Sequence, residues 1–210
     1  PPLVAVAVGE SGRVEALGGL LARGGAKRYC PGSNISETFS GEGHLGARMH
    51  RHHLYERFVL ETLVPFIRED CNSRDVRMYA AGCSMGALYS SLFALKFPET
   101  FRGALCLSGR YRGADIVAGG YNDDLYFNDP LAFVPNLSGG ELQNVRRNTH
   151  LTLVVGRGAF EGNCLPETLE LGGWLRNKSI PNFIGVWGEE SQHKYPWWQK
   201  QAAHYLPQLL

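Results

Sequence analysis

The stretch Val76-Arg77-Met78-Tyr79-Ala80-Ala81-Gly82-Cys83-Ser84-Met85-Gly86-Ala87 carries the deciding pattern of the chain. Val76 to Ala81 reads as a strand. Met85 to about Lys96, stopped by Pro98, reads as a helix. Gly82-Cys83-Ser84-Met85-Gly86 joins them and matches G-x-S-x-G. A serine at the apex of such a strand-to-helix turn takes an unfavourable φ/ψ, which lifts its Oγ above the sheet. Glycines two positions away on either side let neighbouring backbone approach without a Cβ clash. The following helix aims its positive end at the place where an oxyanion would form. The pattern predicts Ser84 as a nucleophile. Cys83, one residue off the apex, should point into the sheet layer and is read as a packed thiol.

Outward from this turn, short apolar runs alternate with helical patterns. That order implies a mostly parallel central sheet flanked by helices. Strands are expected at Leu3 to Val8, Lys27 to Cys30, Gly103 to Leu107, Leu151 to Val155 and Asn182 to Trp187. Helices are expected at about Val14 to Arg23, Met49 to Arg68, Pro166 to Asn177 and Pro196 to Leu206. In the second of these, Tyr55, Phe58, Val59, Thr62, Leu63, Phe66 and Ile67 share one face. Pro65 should kink or break it. Residues 31 to 48 and 109 to 149 read as loop and irregular chain.

A serine hydroxyl needs a base, and after a G-x-S-x-G turn the chain order is serine, carboxylate, histidine. His150 lies at the wrong end of the strand that follows it, and His204 lies inside the last helix. His193 follows the last strand, at the carboxyl edge where parallel sheets gather their active groups. It is therefore the expected base. Glu161 is the first carboxylate beyond the Leu151 to Val155 strand and is the expected acid, holding the histidine tautomer. Glu167, Glu170, Glu189 and Glu190 are the rivals. The expected oxyanion donors are the backbone amides of Met85 and of Gly12, with Ser11 next, in the loop after the first strand.

Composition narrows the partners. A net charge of +1 over 210 residues gives no global field for nucleic acid or an anionic membrane, and no apolar run is long enough to span a bilayer. The five cysteines, Cys30, Cys71, Cys83, Cys106 and Cys164, form neither a disulfide framework nor a CxxC site. Cys83 and Cys106 are expected to be buried, and the compartment reducing, hence cytoplasmic. His50, His52 and His53 read as a surface feature at a helix start, not a metal site, and neither metal nor cofactor is expected. The chain opens Pro1-Pro2 without Met, which reads as a trimmed or processed end.

With these residues in place, the chain resembles the putative esterase family of the α/β-hydrolases. The family includes esterase D, enterochelin esterases, feruloyl esterases and the antigen 85 mycolyltransferases. The matching segments are Tyr55-Glu56-Arg57-Phe58 with Leu63-Val64-Pro65-Phe66-Ile67, then Ala81 to Ala87, and Phe97-Pro98-Glu99-Thr100-Phe101-Arg102-Gly103. Further on they are Tyr126-Phe127-Asn128-Asp129-Pro130, Gly156 to Glu161, and Trp187-Gly188 through His193 to Trp198. The resemblance implies an α/β-hydrolase fold without a separate cap domain, over residues 1–210. It carries nucleophile, base and acid onto Ser84, His193 and Glu161, and the oxyanion donors onto Met85 and Gly12. Two departures stand out. Lys194 follows the histidine where close relatives have Asp, which should depress the proton affinity of the base. Relatives also carry strands ahead of the one at Leu3, which this chain is expected to lack.

The expected activity is hydrolysis of a small carboxylic ester through an acyl-enzyme. The alternatives are acyl transfer to an alcohol by the same three residues, or a catalytically silent binding protein on the same fold. Tyr111, Tyr121, Tyr126, Phe127 and Phe133 are candidates either for a pocket or for core packing.

Overall fold

Parallel strands cannot be joined by a tight hairpin, so each apolar run needs a crossover before the next. The computed structural model describes residues 3–8, 27–29, 43–116 and 120–209. The helix expected at Val14 to Arg23, the loop with Ser11 and Gly12, and Cys30 lie outside them. Six strands are described: β1 (Leu3–Val8), β2 (Lys27–Tyr29), β3 (Arg77–Cys83), β4 (Phe101–Leu107), β5 (Leu151–Val155) and β6 (Asn182–Val186). They form one sheet in the order β2-β1-β3-β4-β5-β6, and every pairing is parallel. The register aligns the carboxyl ends: Cys83 lies beside Leu107, Leu107 beside Val154, and Val155 beside Val186. Whatever follows β3, β4, β5 and β6 therefore emerges along one edge.

Helix α1 (Leu45–Phe58) passes through a π-helical turn (Val59–Leu63) into α2 (Val64–Asp70). This is how the break expected at Pro65 is realised. Proline has no N–H for the Glu61 carbonyl, and the Val64 N–H bonds five residues back to Val59. The turn also corrects the predicted face. Tyr55, Val59, Leu63 and Ile67 are buried at steps of four, whereas Phe58, Thr62 and Phe66 are exposed. Helix α3 (Met85–Lys96) is buried along nearly all its length, as an all-round apolar helix must be.

The region 109–149 is not irregular. It holds the one-turn helices α4 (Gly113–Ile116), α5 (Asp123–Tyr126) and α6 (Pro130–Phe133), a 3₁₀ turn (Val134–Asn136) and α7 (Gly139–Asn148). Asn122 caps α5 through the Leu125 amide, and Asp129 caps α6 through that of Ala132, with Pro130 at the first helical position. Helices α8 (Cys164–Asn177) and α9 (Tyr195–Leu209) complete the chain.

Alternation along the strands divides the core in two. Met78, Ala80, Ala104, Cys106, Leu151 and Leu153 join the larger cluster, with residues of α1, α3 and α8. Ala81, Leu105, Leu107 and Val154 face Trp198, Ala202, Tyr205 and Leu206 of α9. Cys106 is buried as expected, and burial pushes its thiol up; Cys83 is only partly buried. Among the described residues no helix is long and apolar enough to cross a membrane.

The histidine cluster is not a surface feature throughout. His52 is 1% exposed. Its Nε2–H donates to Asn128 Oδ1 at 2.8 Å, and the Tyr89 hydroxyl donates to its Nδ1 at 2.9 Å. Lys96 donates to the same Asn128 oxygen and pairs with Glu56. Burial, then the nearby Lys96 charge, lowers the His52 pKa to about 3. Glu56, 3.7 Å from the ring, does not reverse this because Lys96 sits closer to it.

The unfolded chain takes up a proton at His52 near the ordinary value of about 6.5, while the folded chain refuses it until far lower. The resulting stability is complete above pH 6.5 and lost as pH falls towards the folded value. Urea midpoints should therefore drop by the equivalent of about 1 kcal/mol per pH unit between pH 6.5 and 4.5. His52→Gln should flatten that slope, and an unchanged slope would refute the assignment.

Candidate active site

The aligned strand ends deliver four loops to one place. Ser84 leaves β3 with φ 53° and ψ −117°, a conformation rare for any residue but glycine. Its amide bonds the Leu107 carbonyl at 2.8 Å, extending the β3–β4 ladder by one rung. Such strain costs about 1–3 kcal/mol and persists because strand and helix hold both sides. Met85 is the first residue of α3, so its N–H has no intrahelical carbonyl to meet.

His193 comes from the loop after β6. Its backbone N–H donates to the Ala159 carbonyl at 3.0 Å, tying that loop to the one after β5. Its Nε2 lies 3.0 Å from Ser84 Oγ. Its ring stands edge-on to Trp198, with centroids 4.8 Å apart. On the far side, Nδ1 lies 3.5 Å from Glu161 Oε2 and 3.7 Å from Cys164 Sγ. The carboxylate contact is longer than a normal hydrogen bond, and Oε2 has no hydrogen-bond partner among the described residues although Glu161 is 1% exposed. The other carboxylate oxygen is fixed: the Ser108 hydroxyl donates to Oε1 at 2.6 Å, and the Trp198 indole N–H donates to Ser108 Oγ at 2.9 Å.

The sequence-derived Ser84, His193 and Glu161 thus converge, with Met85 beside them. Gly12 lies outside the described residues. The rival carboxylates are engaged elsewhere or open to solvent. Glu167 accepts from Arg110 Nε and from the Tyr111 and Arg112 amides, Glu170 pairs with Arg112, and Glu189 and Glu190 are exposed. Lys194 has an exposed side chain, and its carbonyl accepts from the Trp197 and Trp198 amides at the start of α9.

Sequence reasoning missed Ser108, Trp198 and Cys164. Ser108 had a readable signal, since it is the first polar residue past the end of β4. Cys164 is 2% exposed; its thiol is pushed up to about 12, first by burial and then by the Glu161 charge.

Of the candidate pocket aromatics, Tyr111 and Phe133 are core residues and Tyr121 and Phe127 are exposed. Tyr126, Phe127 and Phe133 line a cavity of about 390 Å³ with Phe97 at the carboxyl end of α3. Ser84 lies at the other end of that helix, roughly 18 Å away at 1.5 Å per residue.

Gly156 and Gly158 were unassigned in sequence, yet they set the spacing of the site. A Cβ on Gly156 would meet the Ser191 carbonyl oxygen at 2.0 Å, and one on Gly158 would meet the Glu189 and Ser191 oxygens at 2.6 Å. Those atoms belong to the loop that carries His193. Gly156→Ala should push the loop outward and lower kcat/KM by about 10²-fold, the cost of a misplacement of about 1 Å. Kinetics and a melting curve on the variant check this, and unchanged kcat/KM would contradict it.

The family model described as putative esterase matches residues 40–208. No curated protein matches the chain in sequence. Solved structures do. A ferulic acid esterase is 17% identical with a TM-score of 0.70, covering 99% of this chain and 84% of that one. The S-formylglutathione hydrolase FrmB of Staphylococcus aureus is 18% identical with a TM-score of 0.70, covering 99% of this chain and 81% of that one. MPT51 of Mycobacterium tuberculosis is 16% identical with a TM-score of 0.72, covering 98% of this chain and 87% of that one. Sheet order, strained serine and family match agree: the chain belongs to the putative esterase family and is a carboxylic ester hydrolase of the α/β-hydrolase fold.

Proposed function

We propose that the chain hydrolyses small carboxylic esters through an acyl-enzyme on Ser84, with His193 as general base and Glu161 as its orienting carboxylate. The observation that carries this reading is the 3.0 Å separation of His193 Nε2 and Ser84 Oγ at the apex of a strained turn. His193 Nε2 takes the hydroxyl proton as Ser84 Oγ attacks the ester carbonyl. The Met85 amide, at the positive end of α3, stabilises the oxyanion. The imidazolium then gives its proton to the departing alcohol. Water enters, loses a proton to the same nitrogen, and releases the acid and Ser84. Ser108 holds one Glu161 oxygen so that the other faces Nδ1. No step calls for a metal or an organic cofactor.

The test is turnover of p-nitrophenyl acetate and butyrate by the purified chain, with methanol added in a second series. Turnover whose acid product is undiminished by methanol supports hydrolysis. Formation of the methyl ester in place of the acid would favour acyl transfer instead. Absence of turnover on every ester tried would overturn the reading.

A further inference from the structure

Three donor atoms of different chemistry meet behind the imidazole. Cys164 Sγ, His193 Nδ1 and a Glu161 carboxylate oxygen all lie within 4.8 Å of one another. Two of the separations are 3.7 Å, sulfur to nitrogen, and 3.5 Å, nitrogen to oxygen. Tetrahedral zinc with bonds of about 2.0–2.3 Å spaces its ligand atoms by roughly 3.3–3.7 Å. Those two separations match coordination spacing, and the third, sulfur to oxygen, is within 4.8 Å. The burial of the carboxylate points the same way. Glu161 Oε2 is buried, has no hydrogen-bond partner among the described residues, and is directed at Nδ1.

We propose that Glu161, Cys164 and His193 form a zinc-binding site that switches the esterase off. Binding is a property of the three side chains alone; its effect on turnover rests on the function proposed above.

The chemistry follows from the donor set. Zinc is borderline in softness and accepts a thiolate, an imidazole nitrogen and a carboxylate oxygen together. On binding, the Cys164 S–H bond breaks, its proton leaves to solvent, and an S–Zn bond forms. The Nδ1 lone pair enters the metal, so the neutral ring must carry its proton on Nε2. That N–H then faces Ser84 Oγ as a donor and cannot accept the hydroxyl proton. Nothing is oxidised or reduced, and a chelator reverses the event. Two features favour the bound state. Ser108 grips the other oxygen of Glu161 as an outer partner of a metal ligand does. Cys164 is also the first residue of the 14-residue α8, whose positive end offsets part of the burial and Glu161 charge that push its thiol up.

The experiment uses the whole chain, stripped with EDTA and titrated with cadmium chloride, while the ultraviolet thiolate-to-cadmium absorbance is recorded. Zinc chloride inhibition of p-nitrophenyl acetate hydrolysis is measured in parallel. The wild-type chain and a Cys71→Ser control should show one equivalent of the cadmium band. Cys164→Ser should lose the band, and the zinc concentration for half inhibition should rise at least about tenfold. Glu161→Gln, which keeps the thiol, should weaken cadmium binding by a similar factor and covers the case in which the cysteine variant does not fold. A wild-type chain without the band, or a band that survives unchanged in both variants, overturns the site. An active ester hydrolase without the band sinks this site alone. A band on a chain that turns over no ester sinks the proposed function alone.

Discussion

Ser84→Ala is expected to lower kcat/KM for p-nitrophenyl acetate by about 10⁴-fold or more, because Ser84 Oγ is the nucleophile set beside His193 Nε2. Cys83 is next to it in sequence, but Ser84 is the residue whose Oγ lies 3.0 Å from His193 Nε2. Residual activity should remain above the uncatalysed rate, since the α3 amino end still stabilises an oxyanion. The loss should come without unfolding. Alanine meets the same strain at φ 53° as serine does, and the hydroxyl's partner is the part-buried His193 ring. A melting temperature close to that of the parent would separate loss of chemistry from loss of fold. Retained turnover would remove Ser84 from the mechanism.

The second large effect is expected from Glu161→Gln, which should lower kcat by about 10³–10⁴-fold at neutral pH with little change in KM. The reason lies in the hydrogen-bond polarity. The Ser108 hydroxyl donates at the Oε1 position, so it would hold the carboxamide oxygen there. The amide NH₂ would then face His193 Nδ1 and donate to it. That fixes the ring proton on Nε2, and the nitrogen beside Ser84 becomes a donor instead of a base. The same reversal of tautomer underlies the effect proposed for zinc. Glu161→Asp keeps the charge with a shorter reach and should fall between the two. Equal kcat in wild type and Glu161→Gln would show that the 3.5 Å contact has no role in turnover.

Much of this site could be read from the chain because it depends on local order. Gly82 to Gly86 announces its turn through a strand before and a helix after. Parallel pairing then places every residue that follows a strand end at one edge, which is why Glu161 after β5 and His193 after β6 could be chosen over His150 and His204. Leu151–Val155 was readable to the residue because a fully buried strand is a near-continuous run of apolar and β-branched residues, here with Thr152 as the one polar member. What stayed hidden depends on distant partners. His52 is buried because Tyr89 and Asn128, 37 and 76 residues away, satisfy its ring. Phe58 and Phe66 were assigned inward because helical periodicity assumes an even 3.6-residue step, and the π-helical turn ahead of Pro65 breaks it. The one-turn helices of 113–133 are too short for periodicity to register, although the caps at Asn122 and Asp129 were visible as residues. Cys164 shows the same limit, as only the fold brings it to the back of His193.

The central claim is that Ser84 is the group that attacks. The measurement that tests it most directly is labelling of the folded chain with a fluorophosphonate probe, followed by peptide mass mapping. The account predicts a single adduct on Ser84, formed in step with loss of ester hydrolysis and suppressed by His193→Ala. A chain that hydrolyses esters while Ser84 stays unlabelled, or one inactivated by an adduct at another residue, would contradict it.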